Sequence, residues 1–126
     1  MLSENELATI LVDIFFQVHK TLGPGLLESV YEEAICYELK QKNLSFQRQR
    51  GIPVNYKDIK LELGFRADII VESCLIIEIK SVETLTDVHH KQLLTYLRLS
   101  GKKLGLLINF NSSSLKDSII RIVNNL

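Results

Sequence analysis

The first third of the chain carries its apolar side chains at helical spacing. They recur every three or four positions over about residues 5–22, directly after Ser3 and Glu6, which have the spacing of a capping box. This pattern predicts an amphipathic helix that ends at Gly23-Pro24-Gly25. A second helix is predicted over about residues 26–42. Its inner face would consist of Leu27, Val30, Tyr31, Ala34, Ile35 and Leu39.

The middle of the chain has the patterns of β-strands. Residues 45–50 alternate weakly, and residues 52–56 and 59–63 flank a two-residue turn. Residues 65–71 and 74–80 flank a second such turn. The last of these segments is almost continuously apolar, which predicts a central strand covered on both faces.

The last third predicts a parallel crossover. A helix capped by Thr84 or Thr86 runs to about Ser100, and residues 104–110 then form another apolar strand. A short final helix is predicted over residues 115–124. The predicted order is therefore α-α-β-β-β-β-α-β-α, an α/β (α+β) fold with a mixed sheet and helices on both sides.

Bulk composition limits the possible classes of protein. A length of 126 residues fits one domain over residues 1–126. No apolar run is long enough to span a membrane and no signal-peptide pattern opens the chain, so we expect a cytoplasmic protein without a membrane partner. The formal net charge of zero argues against tight non-specific binding of nucleic acid. Small basic clusters, such as Arg48 with Arg50, leave a local basic rim possible.

Three charged residues interrupt the apolar strands, and they are the main candidates for chemistry. Asp68 precedes Glu78 and Lys80, and the last two share one face of a strand because they are two residues apart. A buried charge is costly unless it is paired or binds a metal. A structural ion pair of Glu78 with Lys80 or Arg66 is the simpler alternative. The functional interpretation is a divalent-metal site at one edge of the sheet.

Such a site fits the hydrolysis of phosphodiesters. Mg²⁺ or Mn²⁺ prefers carboxylate oxygens, here Asp68 and Glu78, and the backbone carbonyl of Ile79 could add a ligand. Lys80 could orient water or stabilise developing negative charge.

The same residues resemble a known family. Asp68 followed by Glu78-Ile79-Lys80 resembles the core motif of the PD-(D/E)XK nuclease superfamily, and Gly25, Glu28 and Tyr31 resemble the signature of its GxxExxY branch. The resemblance runs from about residue 10 to residue 111. One departure is Ala67, which stands where the motif has proline.

The resemblance implies a restriction-endonuclease-like αβββαβ core with the metal site at a sheet edge. It implies Asp68, Glu78, Lys80 and Gln92 as catalytic residues, and Glu28 as a further metal ligand. Three side chains are weaker candidates for accessory roles, each more often structural than functional: His19, Tyr31 and Tyr96.

Two classes of function remain open. The first is a metal-dependent nuclease acting on DNA or, less favoured, RNA. The second is an inactive nucleic-acid-binding or assembly module that keeps the nuclease fold. Either class is compatible with a homodimer.

Overall fold

The structure is a computed structural model that describes the backbone of residues 1–126 and every side chain except those of residues 62–64. Three helices and five strands follow one another along this backbone. Their bounds are α1 Glu4–Leu22, α2 Glu28–Gln41, β1 Phe46–Tyr56, β2 Ile59–Val71, β3 Leu75–Lys80, α3 Asp87–Ser100, β4 Leu104–Asn109 and β5 Ile119–Val123.

The two N-terminal helices form as predicted, with one correction to the inner face of α2. Ser3 and Glu6 make the capping box of α1, and Gly23 ends the helix. Helix α2 begins at Glu28, so Leu27 precedes its first turn and is 74% exposed. Val30 is exposed as well. The buried face instead consists of Tyr31, Glu32, Ile35, Cys36 and Leu39.

The sheet is mixed, as predicted, and its described backbone has the strand order β1-β2-β3-β4-β5. Strands β3 and β4 are parallel and are joined through α3, which confirms the crossover. The other neighbouring pairs are antiparallel. The predicted segments 45–50 and 52–56 belong to one strand, β1, because Gly51 stays paired with Arg66 of β2. Segments 59–63 and 65–71 likewise belong to the single strand β2.

The predicted C-terminal helix is wrong. Residues 119–123 form β5, which pairs antiparallel with β4 from Ile108↔Ile119 to Leu104↔Val123. Isoleucine and valine at four of its five positions favour a strand. The backbone of β4 offers hydrogen-bonding partners on this side, and β5 satisfies them.

Apolar layers cover both faces of the sheet, so the predicted arrangement of helices is confirmed. One buried cluster joins α1 and α2 to one face, with Phe15 and Ile77 among its members. A second cluster joins α3 to the other face, with Leu93 and Ile76 among its members. In the described part of the chain, no helix has the length and apolar character needed to cross a bilayer.

Candidate active site

Strands β2 and β3 part at Asp68, and side chains replace the backbone ladder there. The backbone pairs run from Val71↔Leu75 to Ile69↔Ile77. Beyond them, the Ile79 N–H donates to Asp68 Oδ2 at 2.8 Å, and the Asp68 N–H donates to Glu78 Oε1 at 3.3 Å. The two carboxylates therefore meet between two inner strands, at the point where their backbone pairing ends.

This position disfavours negative charge on both carboxylates. Glu78 is only 6% exposed, and burial together with the nearby charge of Asp68 raises its pKa to about 8. Burial also raises the pKa of Asp68, although the hydrogen bonds from Ile79 and Gln49 oppose that shift. A cation beside the pair would relieve both the desolvation and the mutual repulsion.

Lys80 is the predicted residue that brings positive charge to the carboxylates. It ends β3 and is partly exposed, and its charge lowers the pKa of both Asp68 and Glu78. Among the described side chains, however, the ion pairs within 4.0 Å are those of Arg48 with Glu32 and Glu33. The Lys80 ammonium is thus near the carboxylates without forming a direct ion pair.

The backbone of Ile79 faces the gap between β2 and β3. The Lys80 carbonyl accepts a hydrogen bond from Phe110 N–H at 2.9 Å, so the backbone groups of Lys80 face β4. Backbone groups of successive strand residues point to opposite neighbours. The Ile79 carbonyl therefore points to the same side as its N–H, towards Asp68.

The charges of the carboxylates reach Tyr96, whereas Gln92 makes no hydrogen bond to them. The Tyr96 ring stacks on Phe65 with centroids 3.6 Å apart. Burial, followed by the charges of Glu78 and Asp68, raises the pKa of Tyr96, which places its hydroxyl in their field. Gln92 is exposed on α3 one turn before Tyr96. Its side chain has no hydrogen bond to any side chain that the structure describes.

Glu28 is bound to the segment that follows β3. Its Oε2 accepts a hydrogen bond from the Ser81 N–H at 3.1 Å, and the Ser81 hydroxyl donates to the Leu26 carbonyl at 2.7 Å. These bonds attach the beginning of α2 to Ser81, the residue that follows Lys80. The Glu28 carboxylate is exposed. Its partner Ser81 directly follows β3, the strand that carries Glu78.

His19 and Tyr31 surround Phe110. The Tyr31 ring stacks on Phe110 with centroids 4.4 Å apart, and its hydroxyl donates to the Gly23 carbonyl at 2.6 Å. His19 stacks on the same ring, and its Nε2 lies 2.7 Å from the Ser112 carbonyl oxygen. These contacts hold the turn between α1 and α2 and the loop after β4.

Two residues near Asp68, Glu32 and Gln49, were missed by sequence reasoning. Glu32 is only 7% exposed, and it accepts hydrogen bonds from Arg48 and from Gln49. The Gln49 amide also donates to Asp68 Oδ1 at 3.3 Å. A signal for Glu32 existed, because it follows Tyr31 directly and precedes Ile35 by three residues, and both of these are predicted on the inner face of the helix.

The donor set fits a hard divalent cation in part. Asp68 and Glu78 present carboxylate oxygens, and Ile79 presents a carbonyl to the same gap. Within the described part of the chain, no group of three or more His, Cys, Asp or Glu side chains could hold a metal. The fit therefore depends on two carboxylates, with the remaining coordination positions left for water or substrate.

The fold is a mixed sheet with a parallel crossover. Two carboxylates lie where its inner strands part, and Lys80 follows two residues after Glu78. Together these are the features of a nuclease-like protein. The chain belongs to the PD-(D/E)XK nuclease superfamily, whose family model matches residues 5–122. Members of this superfamily generally depend on divalent metal, and their class implies a nucleic-acid substrate. No curated protein matches the chain.

Proposed function

We propose that this protein is a metal-dependent phosphodiesterase that cleaves nucleic acid, DNA in preference to RNA, and that it belongs to the GxxExxY branch. The observation that carries the proposal is the reciprocal contact of Asp68 and Glu78, with Lys80 beside it. Burial of two neighbouring carboxylates without a direct cationic partner is unfavourable, and such costly arrangements are typical of functional sites. The proposal includes residues 1–126 as one such domain, a cytoplasmic location and a homodimer.

Asp68, Glu78 and the carbonyl of Ile79 would hold Mg²⁺ or Mn²⁺. Glu28 is a further candidate ligand, but its carboxylate is hydrogen-bonded to the Ser81 N–H and would have to leave that bond. When bound, the ion would supply charge neutralisation at the phosphate and acidify a water molecule.

The side chains around the carboxylates would act on the substrate and the attacking water. The Lys80 ammonium, near both carboxylates and partly exposed, would donate hydrogen bonds to water or to a phosphate oxygen as negative charge develops. Gln92 on the exposed face of α3 would contact the substrate, and Tyr96 would border it through its hydroxyl. His19 and Tyr31 would keep the neighbouring turn in place.

The test is cleavage of labelled single- and double-stranded DNA and RNA in Mg²⁺, Mn²⁺ or EDTA. We expect metal-dependent cleavage that falls by at least about 100-fold in both Glu78→Gln and Lys80→Met, because each removes a charge from the reacting centre. Calorimetry with Mn²⁺ separates their roles, since Glu78→Gln should weaken binding and Lys80→Met should largely spare it.

Lys116→Met is the matched control, because this lysine is exposed in the segment between β4 and β5. Unchanged cleavage by both site variants would refute the assignment. The second candidate function is a nucleic-acid-binding or assembly module, favoured by the zero net charge and by the two-carboxylate donor set. It would be indicated by a folded protein that binds nucleic acid but cleaves none of the four substrates.

A further inference from the structure

Gln49 has an unusual backbone conformation in the interior of β1. Its φ is +50°, in the left-handed region, although both of its neighbours remain paired with β2 through Arg48↔Ile69 and Arg50↔Ala67. Residues other than glycine, asparagine and aspartate rarely adopt this backbone conformation, because their Cβ comes too close to the backbone. Such strain persists only where surrounding contacts hold it, and it is concentrated at functional sites.

The contacts that hold Gln49 involve two carboxylates. Its Nε2 donates to Glu32 Oε1 at 2.6 Å and to Asp68 Oδ1 at 3.3 Å. Glu32 is itself fixed, because Arg48 donates from Nε and Nη2 to its other oxygen at 3.0 and 2.8 Å. A chain of hydrogen bonds thus runs from Arg48 through Glu32 and Gln49 to Asp68.

We propose that Gln49 is a positioning residue that fixes the carboxylate of Asp68. Ile79 N–H holds Oδ2 and the Gln49 amide holds Oδ1, so both oxygens of Asp68 are restrained. The left-handed backbone of Gln49 is what lets its side chain reach Asp68 from the neighbouring strand. The role of Asp68 as a ligand rests on the proposed function, whereas the restraint on its carboxylate does not.

A merely structural role makes a different prediction. The Arg48–Glu32 ion pair fastens β1 to α2, and Gln49 could simply add one hydrogen bond to that contact. In that case its loss would lower stability and leave Asp68 unchanged. Under our proposal its loss changes the orientation of Asp68, and the change is transmitted to the Ile79 amide, the donor on the opposite oxygen.

Two substitutions separate the amide of Gln49 from its backbone. Gln49→Met keeps the side-chain length and the backbone strain but removes the donor. Gln49→Gly removes the side chain and relieves the strain, so it should fold at least as stably as Gln49→Met. Glu33→Gln is the matched control, because it removes the negative charge of the exposed partner of Arg48, whose Oε1 accepts from Nη2 at 2.7 Å, without touching Gln49.

The readouts are the ¹H–¹⁵N signal of the Ile79 amide in metal-free protein, Mn²⁺ affinity by calorimetry, and the melting temperature. We expect both Gln49 variants to shift the Ile79 signal and to weaken Mn²⁺ binding about tenfold, as loss of a residue that orients a ligand does. Glu33→Gln should change neither. If the Gln49 variants had a lower melting temperature but kept the Ile79 signal and the Mn²⁺ affinity of wild type, the proposal would be overturned.

Failure of this proposal is distinguishable from failure of the proposed function. If the wild type binds Mn²⁺ but cleaves nothing, the nuclease assignment fails and the Mn²⁺ affinity still decides for Gln49. If the wild type does not bind Mn²⁺ either, the Ile79 signal decides. An unchanged signal in both Gln49 variants refutes the positioning role, and a shifted signal supports it.

Discussion

Glu78 is a carboxylate held in surroundings that favour its protonated form. It is almost fully buried beside Asp68, and burial together with the charge of Asp68 raises its pKa to about 8. The Lys80 ammonium opposes this shift without cancelling it. A group arranged in this way contributes to stability while it is protonated, and it becomes a source of repulsion when it ionises.

The metal-free protein should therefore lose stability as pH rises through the range between the two pKa values of Glu78. The unfolded value is near 4.5 and the folded value is about 8, so over this range the folded state binds more protons and the contribution disappears as pH increases. We expect the melting temperature in EDTA to fall from pH 5.5 to pH 8.5.

Glu78→Gln provides the comparison, because it removes both the ionisable group and its repulsion of Asp68. Its melting temperature should change less over the same pH range than that of wild type. Parallel curves for the two proteins would show that Glu78 does not carry the effect. Added Mn²⁺ should raise the melting temperature of wild type more at pH 8.5 than at pH 5.5, because ionised carboxylates bind it better.

At the scale of single residues, the sequence alone identified the charged residues that interrupt apolar strands. Asp68, Glu78 and Lys80 were predicted because charged residues within apolar strands need a reason. Gln49 and Glu32 were missed for a physical reason. Their place beside Asp68 depends on a left-handed backbone at Gln49 and on the rotation of α2, and local periodicity fixes neither.

At the scale of elements, the crossover depends on close contact between α3 and β4. Gly105 of β4 lies under Leu93 of α3, and a Cβ placed on Gly105 would come within 3.0 Å of Leu93 Cδ2. Leu93 is 1% exposed, so its side chain has little room to move. Glycine at this position lets the helix lie closely against the parallel strand pair that carries Glu78.

Gly105→Ala should destabilise the protein by about 1–2 kcal/mol, because an added methyl group overpacks the contact with Leu93. Thermal or urea unfolding measures the change. Gly51→Ala is the matched control in another strand, where a built Cβ has no heavy atom within 4 Å, and we expect a change within about 0.5 kcal/mol. Equal effects of the two substitutions would contradict the close packing of α3 on β4.

Elements with a strong hydrophobic periodicity were predicted correctly. The exception is the helix predicted over residues 115–124. Residues 115–124 contain several apolar residues, a composition that fits a short helix as well as a strand. The outcome is decided by β4, whose backbone pairs with residues 119–123. Pairing with a distant strand is a tertiary effect, and a short apolar segment does not reveal it.

At the scale of the whole molecule, the sheet separates two apolar layers, and the carboxylates lie where that sheet opens. The layer under α1 and α2 includes Cys36, which is 3% exposed. The layer under α3 includes Phe65 and Tyr96, the stacked pair that borders the site. Helix α2 belongs to the first layer and also reaches Asp68, because Glu32 and Gln49 connect them. Opening of either layer should therefore disturb the site.

The reactivity of the two cysteines should report how tightly the first layer is closed. Burial raises the pKa of Cys36 to about 11, and it also raises that of the partly exposed Cys74. Because the thiolate is the reactive form, we expect native protein at pH 8 to react with a disulfide reagent first at Cys74 and much more slowly at Cys36. Cys74→Ser isolates the slow thiol, and in urea that thiol should react at once. Rapid labelling of Cys36 in native Cys74→Ser would mean that α2 detaches from the sheet readily, and Asp68 would then lose its connection to Glu32 in the same motion.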